Sequence, residues 1–171
     1  MRSSNLVRAS ATVVALLAIA AAGCAQKAPP TPAPAPTLAP IPTAAPAPAA
    51  TVAHITIQGA SGQAVAVTAE VADTTEKLLR GLMFRRHLPP DRGMLFDFGG
   101  TVQVPFYMKN TYIPLSIAFV SAEGEIVDIL DMEPLDEQSR APAHPYRYAL
   151  EVNRGFFETH GLGTGDRVTF R

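Results

Sequence analysis

One cysteine among 171 residues excludes an internal disulfide, so this chain must hold its fold by burial alone. The stretch from Ala53 to Arg171 is long enough to do so. Basic clusters are also lacking. Eleven Lys and Arg follow position 52, dispersed among fifteen Asp and Glu, so that region carries about −4 against a formal total of −1. Phosphate recognition needs clustered cations, which excludes nucleic acid as the expected partner. Before residue 53 the only charges are Arg2, Arg8 and Lys27.

Catalytic signatures are missing as well. No Gly-x-Ser-x-Gly, Ser-x-x-Lys or phosphate-loop pattern occurs. His54, His87, His144 and His160 show no i, i+2 or i, i+4 pairing that would put two imidazoles on one metal. Met83, Met94, Met108 and Met132 are widely spaced with no interleaved cysteine or histidine, which reads as core filling rather than copper binding. The acidic residues from Glu123 to Glu137 lack the spacing of a calcium loop and read as a solvated strand edge plus loop. No metal and no cofactor is expected.

What is present begins with an address. Arg2 and Arg8 precede an apolar run, Ala9 to Ala22, that is too short for a span of roughly 20 residues. The run ends Ala21-Ala22-Gly23-Cys24, which resembles a bacterial lipobox. Residues 1–23 are expected to be a signal peptide. Cys24 is expected to be lipidated and to make the bilayer a partner. Ala25, rather than Asp, follows the cysteine, which favours the outer over the inner membrane. The expected location is the cell envelope, facing the periplasm.

From Cys24 to Val52 the chain is a Pro/Ala-rich tether. Its nine prolines, Pro29 to Pro48, forbid helix and sheet at that density and leave a polyproline-like spacer. Extended at about 3.1 Å per residue it reaches roughly 80 Å.

Residues 53–171 read as a single β-rich globular domain. His54–Ile57 and Ala64–Val71 alternate as strands around a Gly59–Gly62 turn. Asp73, with Glu76 three residues later, predicts a capped helix from Thr74 to about Phe84. Its apolar stripe is Leu78, Leu79, Leu82 and Met83. Further strands are expected at Gly93–Phe98, Val102–Lys109, Leu115–Val120, Glu125–Asp131, Arg147–Asn153 and Asp166–Phe170. Asn153 is placed as the cap of a short helix ending near Gly161. The fold class is mainly β: a small barrel or sandwich of seven or eight short, mostly antiparallel strands with two short helices.

Five blocks occur in order: Gly81-Leu82-Met83-Phe84-Arg85, Gly93-Met94-Leu95-Phe96, Phe106-Tyr107-Met108-Lys109-Asn110-Thr111, Ile113-Pro114-Leu115 and Leu150-Glu151-Val152-Asn153-Arg154-Gly155. In these the chain resembles the domain-of-unknown-function 192 family from about Gln63 to Arg171. Tyr107 stands where that family commonly has Trp, and Ser116 where Asp is frequent. The resemblance implies a compact β-rich fold and carries no activity with it.

The polar candidates are Lys109, Asn110 and Thr111, with Arg80, Arg85, Glu151 and Asn153. Alternation on the strand Arg147–Asn153 turns Glu151 and Asn153 away from Tyr148, Leu150 and Val152. Arg85, Lys109, Asn110, Glu151 and Asn153 are therefore the expected ligand-binding set; no catalytic residue is assigned. The favoured reading is an envelope lipoprotein whose domain binds a small molecule, a glycan or an envelope protein, or serves a structural role. The alternative is a hydrolase or lyase using Glu151 as general acid or base. A second titratable group beside Glu151 in a concave site favours the enzyme; an ion-paired Glu151 on a flat surface favours the module.

Overall fold

The computed structural model describes residues 51–171. The expected signal segment, Cys24 and nearly all of the tether lie outside the described residues. The last two tether positions belong to the domain. Val52 opens the first strand, and the Thr51 carbonyl accepts from Val71 N at 2.8 Å.

Seven strands and two short helices run in the order β1 (Val52–Gln58), β2 (Ala64–Ala72), α1 (Thr75–Arg80), β3 (Arg92–Val102), β4 (Leu115–Val120), β5 (Ile126–Met132), β6 (Tyr146–Asn153), α2 (Phe156–Thr159) and β7 (Arg167–Phe170). They form one curled sheet, a half-barrel, with spatial order β5-β4-β6-β3-β2-β1-β7. β2 and β3 pair in parallel, because α1 and its flanking turns carry the chain across between them. The other pairings are antiparallel. The two outer strands approach at one end. There Val168 N donates to the Gly124 carbonyl at 2.7 Å and Gly165 N to that of Ile126 at 2.8 Å, beside a bridge between Glu125 and Arg167. Among the described residues no helix is long and apolar enough to cross a membrane.

Because side chains alternate along a strand, each strand feeds two faces. The concave face packs Ile55, Ile57, Val67, Leu95, Leu150 and Val152 against Phe156 and Phe157 of α2. The opposite face is also buried. It holds Met94, Phe96, Leu115, Ile117, Phe119 and Ala149, covered by Leu82, Leu88, Met108 and Ile113 from the connections. This second core explains why β4 is buried at every position, with no solvated face.

Three expected elements come out differently. α1 stops at Arg80 instead of near Phe84. Gly81 turns to φ 49°, and Phe84 takes a left-handed φ of 65° that no helix continues through. Thr74, not Asp73, caps it, accepting from Lys77 N at 3.4 Å, while Asp73 pairs with Lys77 Nζ at 2.8 Å. The strand expected at Val102–Lys109 is lost after Val102, which ends β3 paired with Tyr146; residues 103–109 form no ladder. Pro105 lacks a donor, and the segment makes a single bridge, Phe106 to Arg140. Asn153 ends β6 rather than capping α2, which starts after Gly155 at a left-handed φ of 75°.

Candidate functional site

On the convex face the cover is incomplete. A cleft of about 340 Å³ remains between the end of α1 and the irregular segment 104–107. Phe96 and Phe98 from β3 and Glu151 from β6 reach it from the sheet. Leu78, Leu79 and Met83 stand on one wall, and Pro105, Phe106 and Tyr107 on the other. The lining is apolar and aromatic, with few polar groups, as small-molecule sites commonly are. Leu79 is 68% exposed, and Val104 and Tyr107 are also exposed at its edge, so the mouth is an open apolar rim.

Glu151 is the unusual group. Alternation turns it away from Leu150 and Val152, as the strand pattern requires, but it does not reach solvent. Its cross-strand neighbours are Met94 on β3 and Ile117 on β4, both apolar. It is only 6% exposed, and its Oε2 has no hydrogen-bond partner. Burial pushes its carboxyl up to about 8, since removing the charged form from water has no offsetting partner. Orphaned buried acceptors are uncommon and costly, and one aimed at a cleft calls for an explanation. Gly81 helps make the room. A Cβ there would stand 3.2 Å from Phe96 Cζ and 4.0 Å from Glu151 Oε2, on a backbone at φ 49°.

The five expected binding residues are not brought together. Arg85 forms a two-pronged pair with Glu70, its Nη2 lying 2.6 Å from Oε2. That pair holds the Glu70 carboxyl below and the Arg85 guanidinium above their ordinary ranges. Lys109 is exposed. Asn110 adopts a left-handed φ of 56° and its carbonyl accepts from Phe84 N at 2.8 Å, tying the two walls together. Asn153 donates Nδ2 to the carbonyls of Leu88 and Pro89 at 2.9 and 3.0 Å, clamping the crossover. Glu151 alone of the five lines the cleft. Arg80 and Thr111, from the wider set of polar candidates, line it too.

What sequence reasoning missed is the aromatic lining of Phe96, Phe98, Phe106 and Tyr107. Phe96 and Phe98 each pack edge-to-face on Phe106, at 5.3 and 6.3 Å, and read as core for that reason, while Tyr107 is exposed at the rim. Ser116, on the other face of β4, has both its roles filled. It donates to Asp131 Oδ1 at 2.5 Å and accepts from Gly155 N at 2.9 Å. Among the described residues no three His, Cys, Asp or Glu side chains group to hold a metal.

The fold and cleft define a β-rich half-barrel with a small apolar pocket on its convex side, whose one carboxyl is unpaired. The chain belongs to the DUF192 family, described as uncharacterised, whose sequence profile matches residues 55–170. A crystal structure of a protein from Sinorhizobium meliloti 1021, provisionally described as a transcription regulator, is similar to it at 37% identity and a TM-score of 0.69. The match covers 71% of this chain and 95% of that one. A protein of unknown function from Novosphingobium aromaticivorans DSM 12444 is similar at 34% identity and a TM-score of 0.66, over 69% of this chain and 84% of that one. A UPF0127 protein of Pyrococcus furiosus is 24% identical over 109 residues, 63% of this chain and 90% of its own length.

Proposed function

We propose that this chain is an envelope-anchored lipoprotein whose domain binds a small, largely apolar molecule in the cleft over Glu151. A signal peptide of residues 1–23, acylation at Cys24 and a tether to Val52 would hang the domain in the periplasm, from the outer rather than the inner membrane. The observation that carries the binding reading is the orphaned Glu151 carboxyl at an open apolar cleft. A structural residue at that place would be paired or apolar. Four of the five sequence blocks reach this cleft directly, through Gly81 to Met83, Phe96, Phe106 to Tyr107 with Thr111, and Glu151.

The alternative, a hydrolase or lyase with Glu151 as general acid or base, draws support from the same raised carboxyl. It needs a second titratable group within reach, and Glu151 has no hydrogen-bonded partner of that kind. Binding is therefore favoured. The regulator description of the Sinorhizobium relative is not carried over, since four of the basic side chains here, Lys77, Arg85, Arg140 and Arg154, are engaged in close ion pairs rather than grouped on one face.

The test is a thermal-shift screen of small apolar molecules on the full chain and on Glu151→Gln. Hits that raise the melting temperature of the parent and lose that effect in the variant are expected. If no compound distinguishes the two proteins, the cleft is not the binding site.

A further inference from the structure

The cleft's chemistry narrows the ligand class; this inference rests on the reading of the cleft as a binding site. An apolar pocket with a carboxyl donor-acceptor admits two kinds of small molecule: neutral ones with a hydrogen-bonding oxygen, and amines. The lining favours the second. Phe96, Phe98, Phe106 and Tyr107 surround the cleft, and aromatic faces attract organic cations. Glu151 Oε2 is unpartnered, so a ligand ammonium would meet a free acceptor. We propose that the cleft selects a free organic amine with an apolar body, its ammonium group on Glu151 Oε2 and its body among Phe96, Phe98, Phe106 and Tyr107. The volume of about 340 Å³ suits a small molecule.

Protonation follows from the balance of charge. The groups facing Glu151 are Met94 from β3, Ile117 from β4 and Gly81 after α1, none of them titratable. Arg80 and Tyr107 line the same cleft, and neither contributes to the rise of the Glu151 carboxyl, which comes from burial alone. In the empty cleft at neutral pH the carboxyl mostly holds its proton. An incoming ammonium ion stabilises the carboxylate, so that proton leaves to solvent and one is released for each ligand bound. Affinity should then rise about tenfold per pH unit below 8 and level off above it.

Phenethylamine and its neutral isostere 2-phenylethanol test this on the full chain by calorimetry at pH 6 to 8.5, in buffers of differing ionisation heat. Resonance shifts of the cleft residues report where each binds. The amine should bind at least tenfold tighter than the alcohol at pH 8.5, release close to one proton at pH 6.5, and lose its advantage in Glu151→Gln. Should that variant fail to fold, proton release by the parent decides alone. The amine proposal is overturned, with the binding reading intact, if the alcohol binds in the cleft as tightly as the amine. It is overturned likewise if the amine's preference survives in the variant. If neither compound shifts the cleft resonances, both readings fall.

Discussion

Glu151 ties stability to pH in a way that an ordinary surface carboxylate does not. Its folded-state carboxyl titrates near 8, against 4.5 for the free group. Below 4.5 both states are protonated and the residue is neutral to stability. Between 4.5 and 8 the unfolded chain ionises while the folded chain keeps its proton, so the unfolded state binds fewer protons and stability falls as pH rises. Above 8 the loss is complete, on the order of 5 kcal/mol. Glu151→Gln should therefore match the parent near pH 4.5 and exceed it by several kcal/mol at pH 8.5, measured by urea unfolding at both values. A variant less stable than the parent at pH 8.5 would show that Glu151 has a partner in solution. Gly81 offers a second residue-level test. Any side chain there meets Phe96 on a backbone of positive φ, so Gly81→Ala should cost about 1–3 kcal/mol and shrink the cleft beside the carboxyl.

At the scale of elements, the half-barrel closes where the chain leading into β5 meets strand β7. Gly124 sits at φ 86°, and a Cβ there would come within 2.5 Å of the Val168 carbonyl oxygen. Gly124→Ala should push the edges apart, break the Val168–Gly124 hydrogen bond and lower stability by roughly 2 kcal/mol or more, with amide exchange of Val168 accelerating first. Apart from the one expected over Val102–Lys109, the strands were legible in the sequence, since alternation at Ile55, Ile57, Val65 and Val67 and again at Leu115, Ile117 and Phe119 follows from the pleat. The direction of Glu151 was legible for the same reason. Its burial was not. The cover on that face comes from segments 81–91 and 103–114, which are mostly irregular and carry no period to read. The pairing of Arg85 with Glu70 depends on which strands neighbour each other, and that is a property of topology rather than of spacing. Phe96, Phe98, Phe106 and Tyr107 gave no local sign that they line a cleft.

For the whole molecule, charge is unevenly distributed along the sequence. The first 52 residues contain three ionisable side chains that are charged at neutral pH, and nine prolines follow Cys24 within a short distance. The domain has two hydrophobic clusters on opposite faces of its sheet. An anchoring role for the leader makes a separable prediction. Cys24→Ser should leave the domain's melting temperature unchanged, because no described residue depends on position 24, while moving the protein from the membrane to the soluble fraction. Two acyl chains suffice for stable attachment and their removal abolishes it, so the redistribution should be nearly complete rather than partial. Palmitate labelling of the parent separates lipid attachment from retention of an uncut signal segment, since only the former incorporates label. A parent that takes up no label would remove the lipid anchor from this account. The cleft and its carboxyl would stand unaffected.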